Sequence, residues 1–223
     1  MADQTGSTVP RAASFTLGSL MLWVTTIALA CGLVVTVQRL RSAETELAKL
    51  REEVGYLGPT RADQVAAVRA QVLEPLTYQF RVRVPERQKY RLVYSSIWPV
   101  DSDAPDWFGA LSVPSGESTV IVRVLRDPRD DQWKIAAICR SELGTRRIGT
   151  VLPEPHVALF RSPQEWSTAG VSRVAHVTDA GDFIRLVENR MIRGEEALLF
   201  GARPRDQDAV GVFAQLEPDV GAL

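Results

Sequence analysis

The pattern of apolar and polar positions divides the chain into three stretches. No charged residue occurs between Arg11 and Arg39, and the run from Phe15 to Val37 is largely apolar. A helix that spans a bilayer needs about 20 apolar residues at roughly 1.5 Å rise per residue. The pattern therefore predicts a transmembrane helix at residues 15–38, preceded by an N-terminal tail at residues 1–14.

The second stretch, residues 39–58, has the spacing of a helical stalk. Its apolar residues recur every seven positions in two series, which are Leu40, Leu47 and Val54, and Ala43, Leu50 and Leu57. The seam lasts fewer than three heptads, so a helix that simply continues the span explains it equally well. A coiled coil here would predict a homo-oligomer formed through the stalk. Gly58-Pro59 predicts the helix end, because Gly caps helices and Pro cannot continue them.

The third stretch, residues 59–223, changes to a period of two, which indicates strands. Tyr78, Phe80, Val82 and Val84 alternate with polar residues and would share one face. Further strands are predicted at residues 90–94, 107–113, 118–126, 132–139, 146–152, 171–177, 182–189, 197–200 and 209–216, and short helices at residues 60–64 and 163–169. The predicted fold class is mainly β, with an N-terminal transmembrane helix and short stalk helix followed by an antiparallel β-sandwich-like domain.

The apolar run has three alternative uses. They are an uncleaved signal anchor, a signal peptide cleaved after Ala28-Leu29-Ala30, and a lipoprotein signal before Cys31. Cleavage would leave apolar residues 33–35 on the mature N-terminus, whereas the core of a signal peptide has about 7–15 apolar residues. We therefore favour the anchor. Bases after the span favour a cytoplasmic domain by the positive-inside rule, but long domains translocate largely regardless of such charges. Because a single N-terminal span usually tethers a translocated domain, we expect the extracytoplasmic side.

Charge and cysteine content exclude few functions. The chain has 26 basic and 27 acidic residues, and its formal net charge is −1. This balance gives no reason to expect a nucleic-acid partner. Cys31 lies in the apolar run and Cys139 in the C-terminal domain, so a disulfide between them is not expected.

Residues with catalytic chemistry are sparse. His156 and His176 have no Cys or second His at ligand spacing, so we expect no metal and no cofactor. The acidic residues at 101–106 do not match a calcium loop and are interpreted as a solvated turn. A Ser or Asp could still meet either histidine in space, since catalytic triads are defined by geometry. A membrane-tethered hydrolase is therefore the alternative to a binding module.

The candidate binding residues are cations and tryptophans of the first strands. If the strands at 78–84 and 90–94 pair as a hairpin, the register that buries both apolar faces gathers cations on one outer surface. Neighbouring acids, Glu86 or a residue of an adjacent strand, would compensate them; otherwise they would form an anion-binding patch for an acidic glycan, a lipid headgroup or an acidic protein. Two tryptophans flank the acidic loop and would stack on sugars if exposed, or fill the core. The candidates are Arg81, Arg83, Arg87, Lys89, Arg91, Trp98 and Trp107.

Several segments resemble a known family. These are Phe15-Thr16-Leu17, Cys31-Gly32-Leu33, Tyr90-Arg91-Leu92, and the Glu-Pro-Leu-Thr-Tyr-Gln-Phe-Arg-Val sequence at 74–82. They resemble single-pass proteins of planctomycete bacteria, a largely uncharacterised family, over about half the chain. The resemblance implies a membrane-anchored β domain and assigns no catalytic residue. We expect a single-pass protein of the bacterial inner membrane whose domain is a binding or interaction module for a protein or glycan.

The start of the span is also similar to a type IV pilin or pseudopilin helix. That family has Gly before the Phe and Glu at the fifth helix position, where this chain has Ser14 and Ser19. A pseudopilin-like secretion component is therefore the third alternative.

Overall fold

The computed structural model describes residues 17–162, 165–192 and 208–221. The chain divides into two compact units, Met1–Lys49 and Leu50–Leu223. The described part of the first unit belongs to one helix, α1 (Leu17–Val54), and residues 15 and 16 of the predicted span lie outside the described residues. From Leu17 to Arg51, α1 is long and apolar enough to cross a membrane. Signal sequences share this property.

Polar groups inside the apolar part of α1 are satisfied within the helix. The hydroxyls of Thr25, Thr26 and Thr36 each donate to the carbonyl four residues earlier, at 2.8 to 2.9 Å. Hydrocarbon offers no partner for a hydroxyl, so these bonds lower the cost of placing threonine in a bilayer.

The helix ends earlier than Gly58-Pro59 predicted. Its last residue is Val54, and Gly55 follows with a φ of +67°. The Tyr56 N–H then donates to the Arg51 carbonyl at 2.8 Å, which is the Schellman arrangement. The prediction was wrong because Gly55 adopts the left-handed conformation that ends the helix first.

The segment after α1 packs within the second unit, to which it belongs. Leu57, which the heptad pattern had placed in the stalk seam, is 3% exposed and lies against Ala66 and Val68. Arg83 donates to the Gly58 carbonyl at 2.9 Å. We call these contacts of residues 57–58 the tether clamp.

The described part of the second unit contains eleven strands and one further helix. In chain order these are β1 (Gln64–Ala70), β2 (Thr77–Val84), β3 (Tyr90–Trp98), β4 (Gly109–Val113), β5 (Gly116–Arg126), β6 (Trp133–Ser141), β7 (Gly144–Val151), α2 (Glu154–Arg161), β8 (Glu165–Gly170), β9 (His176–Asp179), β10 (Ile184–Ile192) and β11 (Ala209–Pro218). They form a six-stranded sheet A, in the order β7-β6-β5-β2-β1-β9, and a five-stranded sheet B, in the order β4-β3-β11-β10-β8. Neighbouring strands are antiparallel, and the sheets pack as a sandwich, which confirms the predicted fold class.

The core lies between the sheets and follows the period of two. Residues of β2 alternate strictly between half-buried and buried, with Tyr78, Phe80, Val82 and Val84 buried. Burial of a Val or Phe side chain contributes roughly 1.5–3 kcal/mol. Helix α2 adds Val157 and Phe160 to this core. The sequence predicted a short helix at residues 163–169, whereas α2 ends at Arg161.

Three other element predictions need correction. Residues 60–64 are not a helix, since β1 begins at Gln64. In the strand predicted at 171–177, residues 171–175 form the connection from β8 to β9, and β9 begins only at His176. Residues 165–169, predicted as part of a helix, belong to strand β8. The predicted strand at 197–200 lies outside the described residues. The other strand predictions are confirmed, with ends that differ by a few residues.

Candidate functional site

The predicted cation surface does not form, because β2 and β3 lie in different sheets. On sheet A, Arg81 and Arg83 both bind Glu117 of the adjacent strand β5, with Arg81 Nη2 at 2.8 Å from Glu117 Oε2. The hydrogen bond from Arg83, followed by the charges of both guanidiniums, lowers the pKa of Glu117. The acid of an adjacent strand thus compensates these two arginines.

The remaining predicted cations lie elsewhere. Arg91 is 7% exposed on sheet B, where its Nη2 lies 2.8 Å from Glu217 Oε1 and its Nη1 donates to the Gly221 carbonyl. Arg87 and Lys89 are exposed in the connection between the sheets. The five cations are therefore divided among two sheet faces and a loop.

Trp98 and Trp107 differ in exposure. Trp98 is 3% exposed; it meets Phe213 edge-on at 5.6 Å, and the guanidiniums of Arg185 and Arg190 lie 4.9 and 4.6 Å from its ring. Trp107 is half-buried. Trp98 therefore fills a cation–π cluster and does not offer its face to a sugar.

One predicted histidine does meet a serine. His156 Nδ1 lies 2.7 Å from Ser96 Oγ, while His176 is exposed on β9. Ser96 is 0% exposed and His156 is 8% exposed. A serine nucleophile must reach its substrate, so this buried pair has the distance of a catalytic pair but not its access.

Two open grooves lie along strand β8, and neither was anticipated. The aromatic groove has a volume of about 490 Å³ and is lined by residues that include Arg69, Glu74, Tyr78, Phe160, Trp166 and Asn189. The Phe183 groove has a volume of about 640 Å³, and its lining includes Gly170, Val174, His176, Phe183, Arg185 and Glu188. Both volumes lie in the range of ligand sites. We call the two grooves and β8 together the edge site.

The floor of the aromatic groove is a hydrogen-bonded chain that joins the sheets. Thr168 donates to Asn189 Oδ1 at 2.8 Å, and Asn189 Nδ2 donates to the Tyr78 hydroxyl. Burial raises the pKa of Tyr78, and the bond from Asn189 and the charge of Arg69 partly offset this. Tyr78 therefore stays neutral at physiological pH. Its oxygen accepts from Asn189, which ties the groove floor on sheet A to sheet B.

The walls of this groove combine flat apolar surfaces with both charges. Phe160 and Trp166 stack with ring centroids 5.8 Å apart and planes at 26°. The Arg69 guanidinium lies 5.2 Å from the Tyr78 ring centroid, and Glu74 is exposed on the loop between β1 and β2. Such a lining suits a ligand with apolar parts and polar groups of either charge.

The same loop holds backbone strain. Leu76 has a φ of +53°, in the left-handed region that disfavours a residue with a branched side chain. At the loop tip, Leu73 is 91% exposed. Backbone strain of this kind is found at binding sites among other places, and here it lies beside the aromatic groove, whose lining includes Leu76.

The Phe183 groove is apolar with a charged wall. Val174 is 77% exposed and Phe183 is 55% exposed. On the wall, Arg185 Nη1 donates to Glu188 Oε2 at 2.8 Å. The two grooves share β8: Trp166 and Thr168 line the aromatic groove, and Ala169 and Gly170 line the Phe183 groove.

The sequence contained only a weak signal for this site. Trp166 falls within the segment 163–169, for which the sequence predicts a short helix. The alternation of Trp166 and Thr168 with Ser167 and Ala169 was the available clue. In the described ranges, no group of three or more His, Cys, Asp or Glu residues is placed to hold a metal ion.

The fold defines a mainly β protein with an apolar N-terminal helix. No family model, curated protein or solved structure matches the chain.

Proposed function

We propose that this protein is a single-pass membrane protein whose β-sandwich is a binding module, and that the edge site holds its ligand. The observation that carries the proposal is the pair of grooves along one strand, with a strained loop and exposed Leu73 at one end. Catalysis would require a reactive group within such a groove.

The location belongs to the same proposal. The uncharged run before Arg39 and the resemblance to planctomycete proteins support a bacterial inner membrane. We place the sandwich on the extracytoplasmic side, because a single N-terminal span usually tethers a translocated domain. Carbonate extraction tests the anchor, and release into the soluble fraction would contradict it. A C-terminal phosphatase fusion tests the side, and an inactive fusion beside an active cytoplasmic reporter would reverse it.

Binding is tested on the full chain in detergent, with chitotetraose and a pool of random octapeptides as probes. At least one probe should raise the unfolding midpoint and change tryptophan emission. Trp166→Phe should lose the emission change but keep the midpoint shift, and Arg69→Ala should reduce both. Arg87→Ala, on the exposed loop between β2 and β3, serves as the control. If neither probe moves either signal, the edge site is not a binding site for these classes and the proposal fails.

A second candidate function rests on the bond between Ser96 and His156. A membrane-tethered hydrolase would expose this serine during turnover. A fluorophosphonate probe should then label wild type and spare Ser96→Ala. Since Ser96 is fully buried, we expect no label. The pseudopilin alternative requires processing before Phe15, and an intact N-terminus in the mature protein would exclude it.

A further inference from the structure

The four sheet edges are protected to different degrees. β7 carries Arg146 and Arg147, β9 has only four residues, and β4 has five and is followed by Pro114. Short length, charge and proline are the devices that stop an edge from pairing with another strand. β8 has six residues, no proline and no base, and its one charge is the first residue, Glu165.

The backbone of β8 is available on one side. All six residues pair with β10, from Glu165 opposite Ile192 to Gly170 opposite Val187. Within the described ranges, no strand pairs with β8 on its other side, and every β8 residue except Trp166 is exposed. Among the described residues, its outward N–H and C=O groups therefore have no partner strand.

The two grooves lie where the side chains of an added strand would point. A strand placed beside β8 would lie about 4.8 Å away and direct alternate side chains to opposite faces of sheet B. On the inner face they would meet Trp166 and the aromatic groove. On the other face they would meet Ala169 and the wall formed by Arg185 and Glu188.

We infer that the ligand of the edge site is an extended polypeptide segment that adds to β8 as a sixth strand of sheet B. The inference rests on the proposed function, because it names the ligand class of the same site. Main-chain hydrogen bonds to β8 give affinity, and the grooves select apolar side chains at every second position on the inward face. A glycan would use the grooves but leave the backbone row of β8 unpaired.

The test selects a phage library of random octapeptides against the full chain in phosphatidylcholine nanodiscs, after removal of phage that bind empty discs. Enriched sequences should show apolar residues with a period of two. Trp166→Ala should weaken binding of a selected peptide at least about tenfold, because it removes an aromatic anchor. Ala169→Arg should do the same from an exposed position that does not disturb the core. Thr145→Lys on β7 is the matched edge control and should change binding less than about twofold.

Backbone pairing has its own control. A selected peptide is N-methylated at alternate residues, in two versions that differ by one position. One version should lose binding at least about tenfold and the other should keep it, because only every second N–H of an added strand faces β8. Amide hydrogen exchange at residues 165–170 should slow when the unmethylated selected peptide is bound.

Equal binding of both methylated versions, or no enrichment over empty discs, overturns the peptide inference. If chitotetraose then still changes Trp166 emission, the edge site is a binding site for another class and the proposed function stands. If no probe acts, both fail.

Discussion

The two lateral edges of the sandwich are built differently. At the closed edge, β4 packs against β7, and Tyr94 Oη lies 3.0 Å from Thr150 Oγ1. At the open edge, the aromatic groove separates Trp166 of β8 from Arg69 of β1, although Asn189 and Tyr78 join the sheets behind it. The closed edge packs tightly because Gly109 lies against Tyr94 and Tyr94 bonds to Thr150. The open edge instead has a groove lined by aromatic and charged side chains.

Gly170 gives the strongest test of the open edge. It has a φ of +110°, and an added Cβ would lie 2.6 Å from the Leu186 carbonyl oxygen. Gly170→Ala should lower the free energy of unfolding by roughly 3 kcal/mol, through strain and collision together. Gly116→Ala is the control, since Gly116 has a φ of +88° and open space around it. Urea unfolding of the full chain in detergent measures both, and equal losses would show that no collision occurs.

Gly109 tests how tightly the closed edge is packed. A Cβ there would lie 2.9 Å from Tyr94 Oη and 3.4 Å from Ile148 Cδ1. Gly109→Ala should cost about 2 kcal/mol, because Tyr94 is fully buried and has little room to move. Gly149→Ala, whose Cβ would meet its nearest atom at 3.6 Å, should cost much less. If both variants unfold at the wild-type midpoint, the closed edge is looser than described.

Asn189 tests the bond that holds the sheets together behind the open groove. Asn189→Ala leaves the buried Tyr78 hydroxyl without its donor and should cost about 1.5 kcal/mol. Tyr78→Phe should cost less, and the double variant should cost less than the sum of the two. A double-mutant cycle by chemical denaturation measures this coupling. Strict additivity would mean that the two side chains act independently.

Glu117 lies at neither edge and gives the smallest effect. Its pKa is lowered from 4.5, so its ion pairs stabilise the fold above that pH, and this contribution is lost as pH falls through the lower folded value. Its side chain is 44% exposed, which limits the effect to about 0.5 kcal/mol. Glu117→Gln should therefore flatten the acid side of the stability profile slightly. Glu86→Gln, which removes a carboxyl from an exposed loop, is the matched control.

The comparison also explains what the sequence could predict. The alternation in β2 can be recognised in the sequence because one face of the strand is buried and the other is half-buried. The sequence could not show whether β3 pairs with β2, because a short connection can place the next strand beside β2 or carry it about 10 Å to the opposite sheet. The chain between Val84 and Tyr90 does the second, which dispersed the predicted cation patch.

The edge site was missed for a related reason. Apart from Trp166, β8 consists of small, polar and charged residues, and its pairing with β10 comes from tertiary structure. The floor of the aromatic groove joins Tyr78 to Asn189, which are 111 positions apart. Such a contact has no local sequence signal, whereas the apolar run of α1 is entirely local and was recognisable at once.

The tether clamp has a mechanical consequence. Any load that reaches the domain through the chain before Leu57 arrives first at the buried contact with Ala66 and Val68, and at the bond from Arg83 to Gly58. Ala66 and Val68 belong to β1 and Arg83 to β2, two neighbouring inner strands of sheet A. Tension is thus delivered to paired inner strands, where several backbone bonds share it, and the exposed edge strand β8 is spared. The same two strands carry Arg69 and Tyr78, which line the aromatic groove, so a load on the tether reaches part of the surface proposed to hold the ligand.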